Sequence, residues 1–349
     1  MITQQELAKI IGVSQMTVSA ILRGGTLAQR YRPELRRKVL ETAAQFGYSR
    51  NEIALAVRNK SSNVIGFITQ DLANGYSGVM LQGIVDAVAE QNRLVKTFSV
   101  FRGQEPSAET FRTVGNAIAE QCIGQRLAGV ICFDIVFSEF LDVIGEKLGN
   151  SGIPLLVANG IPQKTPVCHG VYSDMKQGGE LLFDYLYNQL HHERFALVGH
   201  YNWVINTRQI LQAFLDKASA TGIPQDHILL RVSDGVQNYH DLEEELLDFK
   251  PTAVWTNSDF SALSIITSLT NRGYKVPDKF SVIGYGNLHF DEKCYPAITS
   301  LDNNLYDIGY RAAQLLYEHG NGRIETMRTE FVPHTIVKRE SCKIYKNKQ

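Results

Sequence analysis

The chain has 349 residues, 44% of them hydrophobic and 20% charged, and its 35 basic and 36 acidic side chains leave a net charge of −1. That is ordinary globular composition, which excludes a disordered or collagen-like chain and leaves length for two or three domains. No apolar run approaches the ~18 residues of a membrane span. The N-terminus lacks the basic-then-apolar layout of a secretory signal, and the five cysteines (Cys122, Cys132, Cys168, Cys294, Cys342) form no CxxC pair. These features predict a cytoplasmic protein with no membrane partner, metal site or cofactor.

The near-neutral total hides an asymmetry. Residues 1–60 hold ten Lys/Arg and four acids, a net +6, so the remainder carries −7. A basic head on an acidic body suggests a nucleic-acid module joined to a soluble domain. Thr3 and Glu6 have the spacing of a capping box. Leu7, Ala8 and Ile11 then share a helical face, and Gly12 stands where a chain leaving a helix needs positive φ. Ser14 can cap a second helix carrying Val18, Ile21 and Leu22, which Gly24-Gly25 ends. A third helix starts near Pro33 and carries Val39, Leu40, Ala43 and Phe46. Two short helices joined by a Gly-containing turn form the helix-turn-helix layout, whose second helix enters the major groove. Gln15 can bond an adenine edge and Met16 can pack on a thymine methyl. Ser14, Thr17, Ser19 and Arg23 suit phosphates, although Ser14 and Thr17 also serve as helix caps.

Thr3 through Asn51 resembles the headpiece of the lactose-repressor family of bacterial transcription regulators. The matching residues are Leu7-Ala8, Gly12-Val13-Ser14, Thr17-Val18-Ser19, and Gly47-Tyr48 with Asn51. The resemblance implies a DNA-binding set of Thr3, Ser14, Gln15, Met16, Thr17, Ser19, Ala20, Arg23, Asn51, Ala54, Val57 and Arg58. At Ala20 many family members carry a guanine-reading Arg, a contact that alanine cannot make. The link from Gly24 to Pro33 is longer than usual and contains Arg30 and Arg32. Residues 51–58 then read as a short apolar helix, marginal in water on its own. In the family this is the hinge helix, which orders on DNA and wedges an apolar side chain into the minor groove. That position is Val57 here, where Leu is commoner.

From residue 64 onward, apolar strands alternate with helical patterns. The predicted strands are 64–69, 94–100, 129–133, 154–158, 195–199, 228–232, 253–256 and 280–285. Such alternation implies doubly wound parallel sheets. Gly160 and Pro162 suggest a break between two lobes near 159–165. Several segments resemble the family's effector domain, which is similar to periplasmic sugar-binding proteins: Asp71 to Tyr76, Pro251 to Val254 with Asn257 to Asp259, Gly273 to Pro277, Ser281 to Tyr285, and Val337 to Ser341. The expected organisation is therefore an all-α headpiece (1–49), a hinge helix and linker (50–61), and an α/β two-lobed effector and dimerisation domain (62–349). The resemblance further implies that the chain crosses between lobes more than once.

Ligands of such sheets bind beyond the carboxyl ends of the strands. The candidate effector residues are accordingly Asp71, Tyr76, Phe133, Asn159, Trp203, Arg208, Asn257, Asp259 and Tyr285. Asp134 also follows the third strand. Asp259 can equally cap the following helix, Asp174 reads first as a cap, Phe133 reads first as core, and Tyr285 equally suits a core. Two departures from the family stand out. Many sugar-sensing members carry Asp where this chain has Gly286. Ile210 occupies a position often held by Arg, with Arg208 two residues earlier. No phosphate loop, GxSxG elbow or HExxH motif is present. The sequence thus predicts a non-enzymatic, homodimeric regulator, read as a repressor, while an activator stays open because the sign depends on where the operator lies. Its partners would be a palindromic double-stranded DNA operator and a small effector, a sugar or sugar derivative.

Overall fold

The computed structural model describes residues 2–49, 56–58, 61–73, 75–100, 107–135, 137–159, 169–200, 204–233, 239–322 and 326–346, with backbone alone at 200, 204–206, 232–233 and 239–241. The chain divides into two compact units, Met1–Ser62 and Asn63–Gln349.

The first unit is helical: α1 (Gln4–Ile11), α2 (Gln15–Arg23), α3 (Gly25–Gln29) and α4 (Pro33–Gln45). Thr3 and Glu6 cap α1 reciprocally, and Gly12 closes it at φ 82°, a conformation that costs glycine little. Leu7, Ala8, Ile11, Val18, Ile21, Val39 and Ala43 form its core. Two expectations change here. The long link between Gly24 and Pro33 is a fourth helix, α3, which buries Ala28. Leu40 is 52% exposed and does not join the core.

The second unit holds two six-stranded sheets. Its elements are β1 (Val64–Thr69), α5 (Gly75–Ala89), β2 (Leu94–Ser99), α6 (Ala108–Gly124), β3 (Gly129–Phe133), α7 (Ser138–Asn150), β4 (Leu155–Ala158), β5 (His169–Ser173), α8 (Met175–Phe183, continued by a π-helical stretch to Gln189), β6 (Phe195–His200), α9 (Val204–Ala220), β7 (Ile228–Ser233), α10 (Tyr239–Phe249), β8 (Ala253–Thr256), α11 (Asp259–Asn271), β9 (Ser281–Tyr285), β10 (Thr299–Asp302), α12 (Leu305–Gly320), β11 (Thr329–Val332) and β12 (Thr335–Val337). The sheet orders are β11-β5-β4-β3-β1-β2 and β12-β10-β9-β8-β6-β7. Pairing is parallel except between β10 and β12. Near-continuous apolar strands such as β3 and β8 follow from helices covering both sheet faces. The expected two-lobed α/β architecture is therefore present.

The position of the first break is corrected. β5 lies beyond residues 159–165 yet pairs parallel with β4, so the chain leaves the first sheet only after Ser173. A Gly–Pro signal in a sequence does not distinguish a connection within a lobe from one between lobes. The chain returns at β11 and crosses again to β12. β5, β10, β11 and β12 lie outside the predicted strand set; each has only three to five residues, too short for a clear period. In the first lobe, α5 and α12 pack closely through reciprocal glycines. A side chain on Gly83 would strike the Tyr306 carbonyl, and one on Gly309 the Met80 carbonyl.

Candidate functional site

In the headpiece, the start of α2 is fixed by Ser14, whose hydroxyl accepts from Thr17 N at 3.1 Å and meets Thr17 Oγ1 at 2.9 Å. Gln15 and Met16 follow on the exposed side, Met16 at 77%. An apolar side chain so exposed has no packing role in this unit. Ser19 and Ala20 are half-buried, and exposed Arg23 donates to Ser19 Oγ at 3.2 Å. Thr3 is engaged in its cap, with Oγ1 2.8 Å from Glu6 Oε2. Val57 is 57% exposed beside buried Ala56 and exposed Arg58. Asn51 and Ala54 lie outside the described residues. The face that the sequence assigns to bases is thus free of the core.

In the body, the carboxyl ends of the two sheets meet at a polar junction. Tyr76, in the first turn of α5, reaches from the first lobe into the second. Its hydroxyl donates to the Tyr285 carbonyl at 3.0 Å, lies 3.1 Å from Ser258 Oγ and accepts from Asp259 N at 3.3 Å. Burial and the nearby Asp259 charge push this phenol well above its usual range. Asp259 is fully buried rather than solvent-facing: Ser300 Oγ donates to Oδ1 at 2.7 Å and Leu288 N to Oδ2 at 3.0 Å. Ser258, not Asp259, caps α11. Behind Asp259 lies Asp291, whose carboxyl is pushed up to about 8 by burial and the Asp259 charge, with Arg339 Nη1 3.8 Å away.

Four candidate effector residues have other tasks. The Phe133 ring belongs to the first-lobe core, 6.3 Å from the ring of Phe67. Asn159 is buried, bonding Ser173 N at 2.8 Å and Ser173 Oγ at 3.1 Å. Asn257 is buried and donates to Thr207 Oγ1 at 3.2 Å. Tyr285 packs in the second-lobe core, T-shaped on Trp255, with its hydroxyl 3.4 Å from His334 Nε2. A residue at the end of a buried strand can be held by the core, and these four have packing or hydrogen-bond partners there. Asp71 accepts from Ala73 N at 2.8 Å in a local turn, Arg208 is exposed on α9, and Trp203 lies outside the described residues.

The structure adds residues that the sequence reading missed. Ser173 Oγ donates to the Asn303 carbonyl at 3.0 Å, which links the lobes a second time. Asn303 and His334 follow β10 and β11, so recognition of those short strands would have exposed both. His334 Nδ1–H donates to the Asp174 carbonyl at 3.0 Å, and burial pushes the imidazole down to about 4. Asp174 caps α8 as expected, accepting from Gln177 N. Among the described residues, no cluster of three or more His, Cys, Asp or Glu is placed to hold a metal ion, and no helix is long and apolar enough to cross a membrane.

This architecture defines a class: a helix-turn-helix head joined to a two-lobed periplasmic-binding-protein-like body. The family model of the periplasmic binding protein-like domain matches residues 183–342. Catabolite control protein A of Priestia megaterium is 25% identical over 350 residues, covering 98% of this chain and 99% of that protein. The lac repressor dimer bound to operator and the anti-inducer ONPF superposes with a TM-score of 0.77 at 21% identity, over 97% of this chain and 98% of that one. A LacI-family regulator from Enterococcus faecium with bound ribose gives 0.68 at 23% identity, over 81% and 100%. The resemblance to the lactose-repressor family thus runs the length of the chain.

Proposed function

We propose that the chain is a sequence-specific DNA-binding transcription regulator, a cytoplasmic homodimeric repressor whose operator affinity is set by a small molecule held between the lobes of its body. It is a binding protein, not an enzyme. The observation that carries this reading is the capped second helix presenting Gln15 and Met16 away from its own core. One such head makes few base contacts, so two heads on a palindrome supply the affinity and selectivity. The operator-bound and ribose-bound relatives support DNA as one ligand and a carbohydrate as the class of the other.

Effector binding would change the angle between lobes and so order or melt the 51–58 hinge. A coupling of ~1–3 kcal/mol changes operator affinity about 5–150-fold. The test is selection of bound sequences from random duplex DNA, then operator titrations over a salt series with and without carbohydrates. The expected result is a palindromic site whose affinity shifts with one ligand. Affinity indifferent to every sugar tested would separate the body from DNA control. No DNA binding at all would end the proposal.

A further inference from the structure

Asp134 follows β3 of the first lobe and Asn303 follows β10 of the second, and both act on Tyr285 at the junction. Asp134 closes β3 at φ 54° and its amide donates to the Ala158 carbonyl at 3.2 Å. Its half-buried side chain makes no hydrogen bond or ion pair among the described residues. Burial alone lifts its carboxyl to about 7, with no cation acting on it, and it lies near enough to Tyr285 to hinder ionisation of that phenol. Asn303 is 6% exposed, its side chain bears on the same Tyr285 hydroxyl, and its Oδ1 has no partner. Among the described residues, two acceptors beside Tyr285, the Asp134 carboxyl and Asn303 Oδ1, therefore have no hydrogen-bond donor of their own. Leaving such groups unpaired is costly. In the second lobe, the side-chain space of Gly286 is filled by the Tyr76 ring.

Resting on the reading of the body as an effector cleft, we propose that the effector carries an ammonium group and that Asp134 of the first lobe receives it, with Asn303 Oδ1 taking a second N–H or O–H. The selected class is an amine-bearing small molecule such as an amino sugar. Binding the cation favours the ionised carboxylate, so near neutral pH it releases a proton from Asp134.

The test is calorimetric titration of the full chain with glucosamine, N-acetylglucosamine, glucose and 1,4-diaminobutane, in two buffers of different ionisation heat. One of the two amines should bind at least about tenfold tighter than the neutral sugars, with buffer-dependent heat showing proton release. D134N should lose that preference and the proton release, while D142N on exposed α7 keeps both. Thermal melting of each variant establishes that it is folded. Tighter binding of a neutral sugar, retention of amine preference by D134N, or binding of neither amine overturns the assignment. Operator binding is measured on the same samples. A neutral sugar that shifts it leaves the proposed function standing without this inference, whereas absence of DNA binding strikes the proposed function itself.

Discussion

The ring of Tyr76 lies against the α-carbon of Gly286, a residue at φ 110°, and fills the space that any side chain there would need. The two residues come from different lobes, so the contact acts as a latch between them, fastened by the three hydrogen-bonding neighbours of the Tyr76 hydroxyl. Gly286→Asp must both strain the backbone and displace the ring. It should cost about 1–3 kcal/mol in urea unfolding. Tyr76→Phe keeps the ring but leaves the Tyr285 carbonyl and Asp259 amide without this partner. A loss of roughly 1–3 kcal/mol is expected. A Phe variant as stable as the parent would show that the hydroxyl contributes nothing to the closed arrangement.

Buried histidines and buried carboxylates should move stability with pH in opposite directions. His334 and His192 are buried bases held down to about 4, below the ordinary 6.5. The unfolded chain therefore binds more protons than the folded one through that window, and stability is lost as pH falls from 6.5 towards 4. His334→Gln should flatten this acid limb, read as melting temperature against pH.

Asp291 governs the other limb. Its carboxyl is raised from 3.8 to about 8, so here the folded chain holds the extra proton. The associated stability is full below 3.8 and is lost as pH rises through about 8. Asp134, raised to about 7, acts in the same direction. Asp291→Asn keeps the shape and removes the charge, so its melting temperature should decline less than that of the parent as pH rises from about 4 to about 8. An equal decline would place the loss elsewhere.

At the headpiece, Gln15 and Arg23 should fail differently. Gln15→Ala removes a base-edge donor and acceptor, and is expected to cost ~1–3 kcal/mol and relax preference at one operator position. Arg23→Ala removes a phosphate contact, which weakens binding to all sequences and lowers the salt slope by about 1. Binding titrations on operator and scrambled DNA at several salt concentrations separate the two. If Arg23→Ala alters sequence preference, Arg23 reads bases instead.

The sequence made the headpiece legible because its signals are local. A capping box, a left-handed glycine and a 3.6-residue period each report on residues within one turn, and Thr3, Gly12 and Ser14 all play those parts. The long strands of the body were equally plain. The junction was not, because its members sit at the ends of three- to five-residue strands and depend on contacts between residues far apart in the chain. Ser173 meets Asn303, 130 residues away, and Tyr76 meets Tyr285, 209 residues away. The post-strand rule gave addresses but could not say which side chains the core would claim. Phe133, Asn159, Asn257 and Tyr285 went inward, while Asp134 stayed available.

Val57 sets the last prediction. It is exposed beside buried Ala56, in the place where the family inserts an apolar wedge into the minor groove. Unstacking a base step costs a few kcal/mol, offset by the contacts that a bent duplex permits. Valine is shorter than the commoner leucine and β-branched, so a wedge formed by it would be shallow. Val57→Leu should therefore increase both operator affinity and bend angle, and Val57→Gly, which lacks a wedge and weakens an already marginal helix, should reduce both. Gel mobility of circularly permuted operator fragments reads the bend, and titration reads the affinity. Should both variants bend DNA as the parent does, Val57 is not the wedge and the hinge engages DNA through its backbone and Arg58 alone.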